Sequence, residues 1–217
     1  MALCVNSTIA SDENYSPVHH LETKIVDTII HDNNSWTQGL LIKDGYIYES
    51  TGIEGQSSLQ KINITTGQIE LIFEHNESIF GEGLAFSDGK LIQLTYRNNL
   101  AFIFDFETFE LIGNFSYLGE GWGLCTMPDF FVMTNGTNQL SIRNLSTFEL
   151  IEVINVTKNG TPLPYLNELE CVGDVVYSNV WLTDEIVVID IFTGNVTKSI
   201  NAEALLNRTV YKDANVL

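Results

Sequence analysis

The sequence predicts an all-β fold of the five-bladed β-propeller class, with about four blades present and the last blade incomplete. Three observations carry this. A Leu closes four similar segments, Trp36-Thr-Gln-Gly-Leu40, Phe80-Gly-Glu-Gly-Leu84, Glu120-Gly-Trp-Gly-Leu124 and Tyr165-Leu-Asn-Glu-Leu169, at steps of 44, 40 and 45 residues. That is the period of a propeller blade. Each interval divides into four short apolar-rich runs separated by Gly, Asn and Asp turn signals, as a four-stranded blade requires. Landmarks also recur at fixed offsets: Gly52, Tyr96, Gly136 and Trp181 each lie twelve residues past a Leu.

Taken in order, residues 1–20 are polar and aperiodic and read as a disordered or tethering segment. Residues 21–30 read as an N-terminal strand with no repeat of its own, suited to closing the ring by completing the last blade. The propeller domain then spans 21–217, with blades starting near 36, 80, 120 and 165. The first blade divides into Gly39–Ile42, Tyr46–Ser50, Leu59–Ile62 and Gln68–Phe73. Near the last hairpin of each blade an Asn or Asp precedes a Thr by three: Asn63/Thr66, Asp105/Thr108, Asn144/Thr147 and Asp190/Thr193. Such side chains cap their own turn, so this spacing is a folding device. Helix is expected only around 202–206. A fifth repeat would begin near Asn215, where the sequence ends, and the ring partners are missing. The expectation is therefore a C-terminally truncated five-bladed ring, with a four-bladed ring as the alternative.

Composition narrows the function. The 217 residues carry 28 acids against 10 Lys and Arg, a net charge of −18. That field disfavours nucleic acid and anionic membranes as partners. No run of eighteen apolar residues occurs, so no transmembrane helix is expected. Asn-x-Ser/Thr sequons start at Asn6, Asn14, Asn33, Asn63, Asn76, Asn114, Asn135, Asn144, Asn155, Asn159, Asn195 and Asn207. Composition alone would give roughly three, so a glycosylated, secreted or cell-surface protein is expected. Cys4 is a candidate lipidation site. Cys125 and Cys171 fall at nearly matching places in neighbouring repeats, within reach of a disulfide in an oxidising compartment. Neither the cysteines nor the four His residues show ligand spacing, so no metal and no cofactor is expected.

The inner strand of a propeller blade lines the axis, so the residues two before each Leu should form a ring: Gln38, Glu82, Trp122 and Asn167. Side chains alternate along an extended segment, which puts Trp36, Phe80, Glu120 and Tyr165 on the same rim. Tyr96 and Trp181 join them from the Leu+12 positions. The expected site is an aromatic-walled pocket with a single well-placed acid. The tryptophans could equally pack blade against blade, and Glu82 could serve backbone amides.

These motifs resemble the plant and bacterial glutamine cyclotransferases. The resemblance rests on the Leu-centred segments together with Tyr48-Glu-Ser-Thr-Gly52, Gly55-Gln-Ser-Ser-Leu59, Gly119-Glu-Gly-Trp-Gly123, Asn167-Glu-Leu-Glu170 and Val180-Trp-Leu-Thr-Asp184, in order from about residue 25. It implies a five-bladed propeller that converts N-terminal glutamine of peptides to pyroglutamate with release of ammonia, without cofactor, as a monomer. It further implies Glu82 as proton carrier, with Gln38 and Asn167 holding the carboxamide. Trp36, Phe80, Tyr96, Trp122 and Trp181 would bind the glutamyl side chain. Trp36 stands where the family usually has Phe, and Tyr96 where it usually has Trp. The family's active-site lysine belongs to the final blade, beyond Leu217, so low or no activity is expected of this stretch alone. A non-catalytic propeller binding peptides or glycans is the alternative; a metal-dependent lactonase ranks below both.

Overall fold

A computed structural model describes residues 17–29, 31–32 and 34–205. Cys4, Asn6, Asn14, Asn33, Asn207 and the start of a fifth repeat lie outside the described residues. Four antiparallel sheets of four strands follow one another along the chain. A short first strand, β1 (His19–Leu21), precedes them. Blade 1 comprises β2 (Thr37–Lys43), β3 (Tyr46–Thr51), β4 (Ser58–Asn63) and β5 (Ile69–Glu74). Blade 2 comprises β6 (Gly81–Ser87), β7 (Lys90–Thr95), β8 (Leu100–Asp105) and β9 (Leu111–Ser116). Blade 3 comprises β10 (Leu124–Thr126), β11 (Phe130–Met133), β12 (Gln139–Asn144) and β13 (Leu150–Asn155). A small hairpin, β14 (Thr157–Lys158) and β15 (Thr161–Pro162), leads to blade 4: β16 (Leu166–Val172), β17 (Val175–Val180), β18 (Glu185–Asp190) and β19 (Val196–Asn201). The chain ends its described course in a 3-10 turn at Glu203–Leu205.

The turn device recurs in every blade. Asn63, Asp105, Asn144 and Asp190 each accept the backbone N–H of the Thr three residues on, at 3.1, 2.9, 3.0 and 2.9 Å. The residue that follows each Thr, Gly67, Phe109, Phe148 or Gly194, takes a positive φ. Two of the four are therefore phenylalanines in a conformation that L-residues rarely adopt. Both are buried, so packing holds them there.

Three apolar clusters form the core, and each straddles one blade junction. Tyr48 and Leu59 of blade 1 meet Leu84, Leu91 and Phe104 of blade 2. Ile92 and Leu94 meet Leu124, Phe131 and Phe148 between blades 2 and 3. Val132 and Leu140 meet Leu166, Val176 and Val187 between blades 3 and 4. A disulfide joins Cys125 on β10 to Cys171 on β16 across that last junction, with Cα atoms 5.5 Å apart.

The N-terminal segment departs from the expected strand over 21–30. Only its first residue is extended: β1 pairs in parallel with β19, His19 to Lys198 and Leu21 to Ile200, adding a fifth strand to the outside of blade 4. Residues 22–29 form no strand, because a strand needs a sheet edge to pair with and none runs beside them; Val26 is 91% exposed. Of the segment expected as a tether over 1–20, His19 and His20 lie in β1, paired with β19. Beyond this segment, the His31 imidazole donates from Nε2 to the buried Glu49 carboxylate at 2.8 Å. That bond pins the chain to blade 1 five residues before Trp36.

Candidate active site

The inner strands place the ring residues through a shared irregularity. In blades 1, 2 and 4 the register of the inner hairpin slips between Thr37 and Gly39, between Gly81 and Leu84, and between Leu166 and Leu169. Gln38, Glu82 and Asn167 occupy those slips. A bulge re-aims the side chain that it carries, and here it does so at equivalent points of three blades. In blade 3 the strand starts two residues after Trp122, whose N–H donates to the Thr134 carbonyl at 3.1 Å. Glu82 and Asn167 are each only 6% exposed.

The rim is assembled by pairs. The Leu+12 residues hydrogen-bond to the Leu−4 residues of the same blade: Gly52 to Trp36 (2.8 Å), Tyr96 to Phe80 (3.0 Å) and Trp181 to Tyr165 (2.9 Å), each N–H donating to a carbonyl. The aromatic rings follow. Phe80 and Tyr96 lie 5.7 Å apart, Tyr165 and Trp181 6.0 Å, and Trp122 meets Trp181 edge-on at 5.5 Å. Two glycines make room for this wall. A Cβ on Gly52 would stand 2.4 Å from the Phe80 ring, and one on Gly136, at φ +76°, would stand 2.6 Å from the Trp122 indole. Trp36, Tyr165 and Trp181 are nearly half exposed, so the wall opens to solvent on these sides.

Beneath the wall lie the polar groups. With its carboxamide turned to suit both neighbours, Gln38 donates to Glu82 Oε2 at 3.3 Å and accepts from Trp36 Nε1 at 3.0 Å. Burial, and secondarily the charge of Glu120, holds the Glu82 carboxyl well above the ordinary carboxylate range. Glu120 accepts from Trp122 Nε1 at 3.1 Å and from Arg97 Nε at 2.9 Å. Asn167 hands its backbone carbonyl to the Thr134 hydroxyl at 2.8 Å.

Direct contacts thus join Trp36 and Glu82 to Gln38, Phe80 to Tyr96, and Trp122 to Trp181, and Arg97 and Glu120 connect Tyr96 to Trp122. Asn167 is joined to that rim through the blade 3 backbone. Two residues of this region were not singled out from sequence. Arg97 bridges Tyr96 and Glu120, donating to the Tyr96 hydroxyl at 2.8 Å. Glu168 extends from blade 4 to the Leu40 amide of blade 1 at 3.4 Å, while its other oxygen is buried without a partner. Its signal is visible in the repeats: the residue before each Leu is Gly39, Gly83, Gly123 and then Glu168. A carboxylate in a register of glycines marks a junction built differently. Burial raises the Glu168 carboxyl well above its usual range, and the nearby Glu82 adds to this.

Residues 1–217 match the family model described as glutamine cyclotransferase. A glutaminyl-peptide cyclotransferase of Arabidopsis thaliana is 33% identical over 165 residues, which are 75% of this chain and 52% of that protein. The chain therefore spans about half the length of the curated relative it matches. The crystal structure of Myxococcus xanthus glutaminyl cyclase superposes with a TM-score of 0.83 at 32% identity, covering 92% of this chain and 84% of that one. The RRP9 WD40 repeats, at 12% identity, TM-score 0.54 and coverage of 76% and 51%, share the fold alone. With a family match over its whole length and a rim of the kind its motifs imply, the chain belongs to the glutamine cyclotransferase family.

Proposed function

We propose that the protein is a glutaminyl-peptide cyclotransferase that closes N-terminal glutamine to pyroglutamate and releases ammonia. The observation that carries this is Glu82: a buried carboxyl with raised proton affinity, bonded to a carboxamide and bordered by aromatic rings. The substrate supplies its own nucleophile, so the site has to position the chain, remove a proton and return one. The α-amine attacks the side-chain carboxamide carbon. Glu82 takes a proton from that amine and delivers one to the departing nitrogen, leaving the five-membered lactam and ammonia. A carboxyl whose proton affinity is raised by burial serves both halves of that transfer. Gln38 and Asn167 hold the carboxamide and its developing oxyanion. Trp36, Phe80, Tyr96, Trp122 and Trp181 enclose the glutamyl chain and exclude water.

The finer architecture belongs to the same proposal. A fifth blade stands between blades 4 and 1 in the whole protein, which is monomeric, secreted or held at the cell surface, and glycosylated. The sparse junction there supports the fifth blade, and the abundance of sequons supports the secreted, glycosylated state.

Ammonia release and the mass loss of a glutaminyl peptide test the activity. Glu82→Gln should lower kcat by about a hundredfold or more, the scale of a lost general acid–base, while glutaminyl-peptide binding persists. Peptide binding without turnover in the protein carrying its proposed fifth blade would sink the enzyme reading and favour a binding propeller.

A further inference from the structure

We propose that Glu120 is a positioning residue of this pocket: clamped by Arg97, it fixes the Trp122 indole and, through its charge, sets the ease with which Glu82 exchanges its proton. The inference rests on the cyclotransferase reading and adds to it a second acid with a role distinct from that of Glu82.

The geometry is a chain of four side chains along the rim. Arg97 Nε donates to Glu120 Oε1 at 2.9 Å, and the other guanidinium arm donates to the Tyr96 hydroxyl at 2.8 Å. The guanidinium also lies 4.3 Å above the Tyr96 ring centroid, a cation–π distance. Glu120 Oε2 then accepts the indole N–H of Trp122 at 3.1 Å. Tyr96 and Trp122 come from different blades. Their rings are held at fixed spacing by one ion pair, not by mutual packing.

Charge gives the chain its second effect. Glu120 is the charged group that acts on Glu82, and the Glu82 charge in turn raises Glu168, Tyr96 and Tyr117. Arg97 is engaged by Glu120 and Tyr96, and Glu54 acts on it as well. After burial itself, the Glu120 charge is what disfavours the Glu82 anion. The Glu120 side chain is 34% exposed, so water screens part of its field.

Two substitutions separate this role from plain packing because their effects have opposite signs. Glu120→Gln keeps an acceptor for Trp122 but removes the negative charge. It should move the acidic limb of the kcat/KM profile to lower pH by about half a pH unit, a screened version of a like-charge interaction. Arg97→Gln leaves the Glu120 charge without its counter-ion and should move the same limb to higher pH. Carboxyl 13C NMR of Glu82 reads the same two shifts without turnover. Absence of pyroglutamate in the protein carrying its proposed fifth blade would therefore overturn the cyclotransferase reading, while the Glu120 inference would still be decided by the spectrum. Unmoved titrations, or shifts of the same sign in both variants, would overturn the Glu120 inference itself.

Discussion

Blade junctions 1–2, 2–3 and 3–4 differ in kind from the seam between blades 4 and 1. At the first three, a glycine in the inner strand lets the next blade close to backbone contact. A Cβ on Gly39 would lie 2.6 Å from the Leu84 nitrogen, one on Gly83 2.5 Å from the Leu124 nitrogen, and one on Gly123 2.2 Å from the Asn167 carbonyl oxygen. At the same register blade 4 carries Glu168, and its side chain spans the distance to blade 1. Inner strands β2, β6, β10 and β16 pack on one another in succession, with no contact of that extent from β16 back to β2. A cavity of about 400 Å³ occupies the seam, lined by Leu40, Glu168, Val172, Tyr177, Ile186 and Ile200. The lesson concerns what a propeller needs at its axis. Glycine permits close backbone approach at the first three junctions, whereas between blades 4 and 1, where the fifth blade is proposed, a carboxylate reaches across.

The sharpest way to probe the closed junctions is to remove the covalent tie at one of them. Cys125→Ala with Cys171→Ala frees a loop of 46 residues between β10 and β16. Loop-closure entropy puts the loss near 4 kcal/mol in denaturant unfolding. Full retention of stability would mean that packing alone secures blade 3 against blade 4. Next in size is Gly123→Ala. The new methyl would meet the Asn167 and Glu168 backbone, which has little room to yield, and should cost about 3 kcal/mol through overpacking. It should also displace Asn167 and raise KM for a glutaminyl peptide. A cost below about 0.5 kcal/mol would show that the junction is looser than the glycine implies.

Much of this contrast was legible in the sequence. Repeat spacing located all four inner strands to within a few residues, and with them Gln38, Glu82, Trp122 and Asn167. The Asx–Thr offsets gave the outer turns because that device is local. What periodicity could not give was long-range pairing: β1 owes its three residues to the edge of β19, which no local pattern encodes. Arg97 was missed for a related reason, since an exposed arginine acquires meaning only when Tyr96 and Glu120 come together. Glu168 was missed although its signal was present. It stands one residue before each Leu, where three glycines are followed by a glutamate.

The smallest effect expected is also the one that tests the open seam most directly. The folded-state proton affinity of Glu168 is raised, so the folded form holds a proton that the unfolded chain gives up more readily. Its contribution to stability is therefore full below the ordinary glutamate range and is lost as pH rises through the raised value. Glu168→Gln keeps the shape and an acceptor for the Leu40 amide while removing the titration. At about pH 4 and below the variant should match the unaltered protein. At pH 8 it should be more stable by about 1 kcal/mol, the scale of a half-screened buried carboxylate freed of its desolvation cost. Glu82 titrates in the same direction and is coupled to Glu168, so the difference between the two stability curves reads Glu168 together with that coupling. A variant less stable at pH 8 would mean that the anion holds blade 4 to blade 1 there. The seam would then be an electrostatic joint, and the contrast with the glycine junctions would be one of bonding, not of closeness.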